Sequence, residues 1–207
     1  MKKNILRKDF IIEIKKTMGR FVSIFFIVLL GVAFYSGLRV TQKDMHIKAD
    51  HQFDGSRLMD VKVMGTLGIS EENLTALRKL KNVQSVEGGH SVDVIARKQG
   101  SDEEHAIKVM GKTDKLNQIT IIDGKLPQAS GECLVDEWYA QQNDLKTGDV
   151  LNLSSGNEDD LKDTLKDTTY KITGIGSSSE YLSRSRGSTG IGTGTLSGFI
   201  VVQPSEF

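Results

Sequence analysis

The apolar positions of this chain change their pattern along its length. From Phe21 to Leu38 there are 18 consecutive uncharged residues, bracketed by Arg20 and Arg39. Fourteen of them are apolar, and the others are Ser23, Gly31, Ser36 and Gly37. A helix of that length spans about 27 Å at a rise of 1.5 Å per residue, close to the hydrocarbon thickness of a bilayer. Lipid offers no hydrogen-bond partner, so every backbone N–H and C=O has to be paired within the segment, which a helix achieves. The pattern predicts a transmembrane helix over 21–40. Ahead of it, Leu6, Phe10, Ile11, Ile14 and Met18 fall on one side of a helical projection and Lys8, Asp9, Lys15 and Lys16 on the other, with Ile5 and Ile12 breaking the order. Two readings of residues 1–20 stand: a helix lying along the inner leaflet, or a plain basic segment.

Residues 41–57 are polar, and 41–54 hold neither Gly nor Pro, so they are expected to extend the helix or to act as a linker. After Leu58 the period shortens to two. Leu58–Met64 alternates as a half-buried strand does and ends at Gly65 and Gly68. Ser70 is expected to cap a helix with Glu71 and Glu72 in its first turn. Further strands are expected at Val83–Val86, Ser91–Arg97 and His105–Met110. A short apolar run at Ile119–Ile122 stops at Asp123-Gly124. Leu134 and Val135 lead into Asp136, a second cap, for a short helix through Gln142. Leu145–Leu153 reads as a turn feeding a strand, Ser154–Thr169 as a solvated loop, Thr168–Ile175 as a strand, Gly176–Ser197 as a Gly/Ser-rich loop, and Phe199–Val202 as a last strand. Short strands with two short helices make residues 58–207 an α+β domain.

Charge sets an orientation. Lys+Arg and Asp+Glu balance at 27 each, but residues 1–20 carry seven Lys/Arg against Asp9 and Glu13, a net of +5. That asymmetry places the N-terminus in the cytoplasm, with the α+β domain outside the cell membrane. It implies the lipid bilayer as a partner rather than nucleic acid. A cleaved signal peptide is the alternative; its apolar core is ordinarily 7–15 residues, and no clear A-x-A site follows this run. The single cysteine, Cys133, forbids an intramolecular disulfide and leaves the compartment open.

Candidate chemistry is sparse. Gly190-Ile191-Gly192-Thr193-Gly194 could cradle a phosphate, but it does not join a strand to a helix and reads better as a mobile loop. His46, His51, His90 and His105 are scattered and lack the carboxylate or thiol neighbours of a metal site. No G-x-S-x-G elbow supports a Ser/His/Asp triad, no P-loop is present, and Cys133 reads as a small buried residue. No catalytic, cofactor-binding or metal-binding residue is expected, and the chain is not expected to be an enzyme.

The segment Lys15–Met45 resembles the first transmembrane helix of FtsX-like ABC transporter permeases, and the stretch from Leu58 resembles the start of a MacB-like periplasmic core domain. The blocks that carry the resemblance are Val83, Val86 and Gly88; Asp123-Gly124-Lys125-Leu126-Pro127 with Gly131-Glu132; Leu145–Leu151; Tyr170–Ile175; and Phe199–Phe207, with its Pro204 and Phe207. They follow one another in the family's order over nearly the whole chain. The resemblance implies a permease subunit without its own ATPase, coupled to a separate cytoplasmic ABC ATPase for export or for mechanotransmission, and working as a homo- or heterodimer of permeases. Family members are longer, with about four or more membrane helices, so the chain is expected to be their N-terminal portion, with an incomplete core domain and no ATPase-contacting helices. The rival reading is a single-pass anchored domain that binds a ligand or partner.

Overall fold

The computed structural model describes residues 2–65, 68–157 and 160–207, and the side chains of residues 2–7 are not described. The side chains of Ile5 and Leu6 in the amphipathic reading, and residues 158–159 of the charged loop, therefore lie outside what is described. The chain divides into two compact units, Met1–His51 and Gln52–Phe207.

The first unit is helical. α1 (Lys2–Lys16) is followed by α2 (Met18–Ser56), a continuous 39-residue helix. Among the described residues α2 is the one helix long and apolar enough to cross a membrane. Its apolar side chains have no protein around them: Ile27 is 69% and Phe34 73% exposed, as suits a helix whose solvent is lipid. The Ser23 hydroxyl turns back to the Gly19 carbonyl at 2.8 Å and the Thr41 hydroxyl to Gly37 at 2.8 Å, so neither is left unpaired. Arg39 ends the span with its guanidinium 5.7 Å from the centre of the Tyr35 ring. In α1, Phe10 and Ile11 of the expected apolar side are exposed, as is Ile12, which breaks the order.

The second unit is built on β1 (Ser91–Lys98), β2 (Glu104–Gly111), β3 (Thr120–Gly124), β4 (Glu132–Asp136), β5 (Val150–Ser154), β6 (Thr169–Ser177) and β7 (Gly198–Val202), with α3 (Glu71–Arg78) and α4 (Glu137–Gln142). Six strands close on themselves in the order β6-β4-β7-β2-β1-β5 and back to β6, and β3 attaches outside the ring. The nine-residue β6 makes this possible. One edge of it pairs with β4, while the other pairs with β5 through Thr169–Lys171 and with β3 through Gly174–Ser177. Most neighbours are antiparallel, but β2–β7 and β4–β6 are parallel.

The core fills the ring. Val94, Ala96, Ile107, Val109, Cys133, Val135, Leu151, Tyr170, Ile172 and Ile200 meet Tyr139 and Ala140 of α4. A smaller cluster on the opposite face joins Leu134, Phe199 and Val201 to Met110, Leu126 and Tyr181. All five residues of β7 are buried because both of its faces are covered. β6 alternates buried and less buried positions, as its TYKITGI pattern predicts.

Three expectations need correction. Leu58–Met64 is not a strand: it has no ladder partner among the described residues, and Val61 (76%), Val63 (57%) and Met64 (81%) are exposed. Alternation states which side chains a strand would bury, whereas a strand exists only where a neighbouring backbone supplies its hydrogen bonds. Val83–Val86 fails for the same reason. The charged stretch 154–169 is not wholly solvated, because a 3-10 turn at Leu161–Asp163 drives Leu161 and Leu165 into the core.

Other local readings hold. The Ser70 hydroxyl accepts the Asn73 N–H and caps α3. In the 145–149 turn the Asp149 carboxylate accepts the Lys146 N–H at 3.0 Å. Gly124 and Gly174 face each other across β3 and β6. A Cβ on Gly124 would lie 2.3 Å from the Thr173 carbonyl oxygen, and one on Gly174 would lie 2.4 Å from that of Lys125, so both positions exclude a side chain.

Candidate functional site

Two constructions in the second unit reach beyond packing. The first is where α2 ends. Its last turn, from Gln52, belongs to the α/β unit. The helix stops in a Schellman arrangement: Leu58 N–H reaches Phe53 C=O at 3.0 Å and Arg57 N–H reaches Asp54 C=O at 3.2 Å, with Arg57 in the left-handed region at φ +49°. The carbonyls this leaves over are taken by the 113–118 loop. Gln118 N–H donates to Ser56 C=O at 2.7 Å and Asn117 N–H to Arg57 C=O at 3.0 Å, while Asn117 Oδ1 accepts the Met59 N–H at 2.9 Å. Gln52 adds a side-chain bond to the Ser179 hydroxyl at 3.1 Å. The 113–118 loop is itself fixed by Glu87, whose carboxylate accepts the N–H groups of Asp114, Lys115 and Leu116 at 2.7, 3.0 and 2.8 Å.

The second construction is a strap, residues 181–186, lying beside α4. Arg186 Nε donates to Asp136 Oδ2 at 2.8 Å and its NH2 group to Asp136 Oδ1 at 2.9 Å; the two side chains are 8% and 1% exposed. Arg186 also donates to the Ser183 carbonyl, closing the strap on itself. At the other end Tyr181 stacks on Phe199 with ring centres 5.1 Å apart, and burial pushes its hydroxyl up to about 12. Between these anchors Arg184 stacks over Trp138, 4.5 Å from the ring centre. A cleft of about 350 Å³ lies there, lined by Glu137, Trp138, Gln141, Tyr181, Leu182 and Arg184 among others. Asp136, expected to cap α4, makes no side-chain capping bond, because its carboxylate is committed to Arg186.

The residues with candidate chemistry are not brought together. His46 and His51 lie on α2, His90 stacks on Phe207, and His105 meets Tyr139 edge-on at 5.7 Å, its buried Nε2 4.0 Å from the Glu103 carboxylate and without a hydrogen-bond partner among the described residues. Among the described residues no group of three or more His, Cys, Asp or Glu could hold a metal ion. Cys133 is fully buried on β4, and burial pushes its thiol up, away from thiolate chemistry. The glycine-rich loop is pinned by Thr189 N–H to Gly194 C=O and Gly194 N–H to Ile191 C=O, both 3.1 Å. A Cβ on Gly192 would meet Ile95 at 3.1 Å, so the loop lies against the ring rather than presenting a phosphate cradle.

No family model matches this chain, and no curated protein does. Solved structures do. One is the extracellular domain of the ABC-type transporter YknZ from Gram-positive bacteria, 12% identical over 67% of this chain and 64% of that one, with a TM-score of 0.41. Another is a domain of a protein assigned as a permease from Porphyromonas gingivalis, 12% identical over 65% of this chain and 57% of that one, with a TM-score of 0.39. This chain thus aligns with less than two thirds of the length of either.

Neither the α2 clasp nor the strap was singled out by reading the sequence. Asn117 and Glu87 are single polar residues whose partners lie 58 and 27 or more positions away. The strap did leave a trace, the Arg184-x-Arg186 pair in a Gly/Ser run whose only other charged residue is Glu180.

Proposed function

We propose that this chain is the N-terminal part of an ABC transporter permease of the FtsX/MacB-like type. α2 crosses the cell membrane with its N-terminus in the cytoplasm, and the α/β unit lies outside. The observation that carries this reading is α2, whose apolar stretch is long enough to cross a membrane and precedes the α/β unit in the chain. In this reading the subunit couples a cytoplasmic ABC ATPase to an extracytoplasmic domain for export or for mechanotransmission. The ordered sequence blocks support the same reading, since Asp123-Gly124, Lys146–Asp149 and Tyr170–Ile175 form the turns and the central strand of the ring. In this proposal the chain catalyses no reaction itself, binds no nucleic acid, and dimerises with a second permease through the complete subunit.

The test is to express the gene together with whatever follows the Phe207 codon, tag the product, and recover it in detergent. Further membrane spans and co-purification of an ABC ATPase subunit are the expected result. A stop codon at that point with no ATPase recovered would overturn the proposal. The second reading, an anchored binding domain, would then lead, and the cleft at Trp138 favours it.

A further inference from the structure

We propose that the cleft between α4 and the 181–186 strap is a docking site for a polypeptide segment that presents a carboxylate beside an apolar side chain. The inference starts from how charge is distributed around the cleft. Asp136 and Arg186 neutralise each other in a buried bidentate pair, and Glu137 accepts a bond from Gln141 on its own helix at 3.1 Å. Arg184 makes no ion pair or hydrogen bond among the described residues, yet it is held in place by the face of Trp138. A guanidinium over an indole face still has its planar fork of N–H donors to offer, and that fork matches a carboxylate in bidentate fashion.

The apolar half of the ligand follows from the same walls. Trp138 and Tyr181 line the cleft, and Leu182 at its rim is 72% exposed with nothing covering it. Trp, Tyr and Arg are the side chains that most often dominate binding energy at protein interfaces. Polar residues interrupt these walls, Glu137, Gln141, Ser177 and Ser183 among them, which favours a peptide over an acyl chain. Pinning of both strap ends, by Tyr181 on Phe199 and Arg186 on Asp136, means that little further ordering is required on binding. This inference stands apart from the transporter reading, because it depends only on the second unit.

Trp138 is the sole tryptophan of the chain, so indole emission from the full chain in detergent micelles reports on this cleft alone. The probes are a short end-blocked peptide with glutamate next to phenylalanine and its glutamine counterpart. The expected result is a saturable emission change with the glutamate peptide, weakened roughly tenfold or more in the glutamine peptide and in Arg184→Gln. Arg184→Lys, which keeps the charge and loses the planar fork, should bind between the two, and Leu182→Glu should abolish binding. Arg184 and Leu182 are exposed, so unchanged circular dichroism is expected for these variants and is recorded alongside. Equal response to both peptides, an unaltered response in Arg184→Gln, or a response to anionic lipid vesicles but not to peptide would each overturn the proposal.

Discussion

Arg57 and Asn117 meet backbone to backbone, N–H to C=O at 3.0 Å, with both residues in the left-handed region at φ +49° and +48°. Asn tolerates that conformation better than other side chains, whereas Arg pays about 1 kcal/mol for it. Arg57→Gly should therefore raise the thermal midpoint by a few degrees. Asn117→Ala should lower stability by about 1–3 kcal/mol, since it strands the Met59 N–H and adds left-handed strain. Asn117→Gly keeps the backbone conformation and isolates the lost side-chain bond. Urea unfolding of the three variants tests the clasp, and an Asn117→Ala protein as stable as the parent would dismiss it.

The buried pair Asp136–Arg186 should behave asymmetrically. Arg186→Met leaves a carboxylate 1% exposed and uncompensated, at a cost of about 3–5 kcal/mol. The double change Arg186→Met with Asp136→Leu should recover most of that loss, because a packed apolar pair replaces a desolvated ionic one. A double-mutant cycle by denaturant unfolding gives the coupling directly. Strictly additive losses would mean that the two side chains act independently.

Acid should loosen the second unit in part through Glu132 and Asp149. Backbone N–H bonds from Gln128 and Ala129 hold the Glu132 carboxyl below its ordinary range, and the Lys98 ammonium does the same for Asp149, aided by the Lys146 N–H. A carboxyl depressed in the folded state contributes stability above its unfolded value and loses it as pH falls through the folded one. The loss is expected from about pH 5 downward. Glu132→Gln should lower the melting temperature at neutral pH and flatten this acid limb, so that parent and variant converge toward pH 3, as thermal melts across pH 3–7 would reveal.

Topology can be probed with a new thiol. Cys133 is fully buried and cannot report sidedness in the folded protein. Asp102→Cys, at the exposed tip between β1 and β2, should react with a membrane-impermeant maleimide in intact cells. Labelling only after lysis would reverse the orientation. Ile27→Asp should impair membrane integration, since a charge at mid-span costs about 2.5–3.5 kcal/mol on insertion scales.

Local periodicity served well where local rules decide. The Ser70 cap, the β1 and β2 alternation and the Asp149 turn are each visible within a few residues, and each is present. Pairing was not legible. Leu58–Met64 alternates as convincingly as Ser91–Arg97, yet among the described residues only the latter finds neighbours, β2 on one edge and β5 on the other. The candidate site was hidden for a related reason. Arg186 acquires its meaning from Asp136, 50 positions earlier, and no window of sequence contains both. Leu161 and Leu165 show the converse, two apolar positions a helical turn apart in a charged run that do point to a buried face.

The place of β7 has a consequence for the order of assembly. It lies between β4 and β2, and its pairing with β2 joins residues 198–202 to 107–111. A polypeptide delivered N-terminus first therefore holds every other strand before the ring can shut. Until residue 202 has emerged, β2 and β4 each carry an open backbone edge. The interval between the arrival of β2 and that of β7 is thus the period in which this domain is most vulnerable to proteases and to pairing with the wrong neighbour.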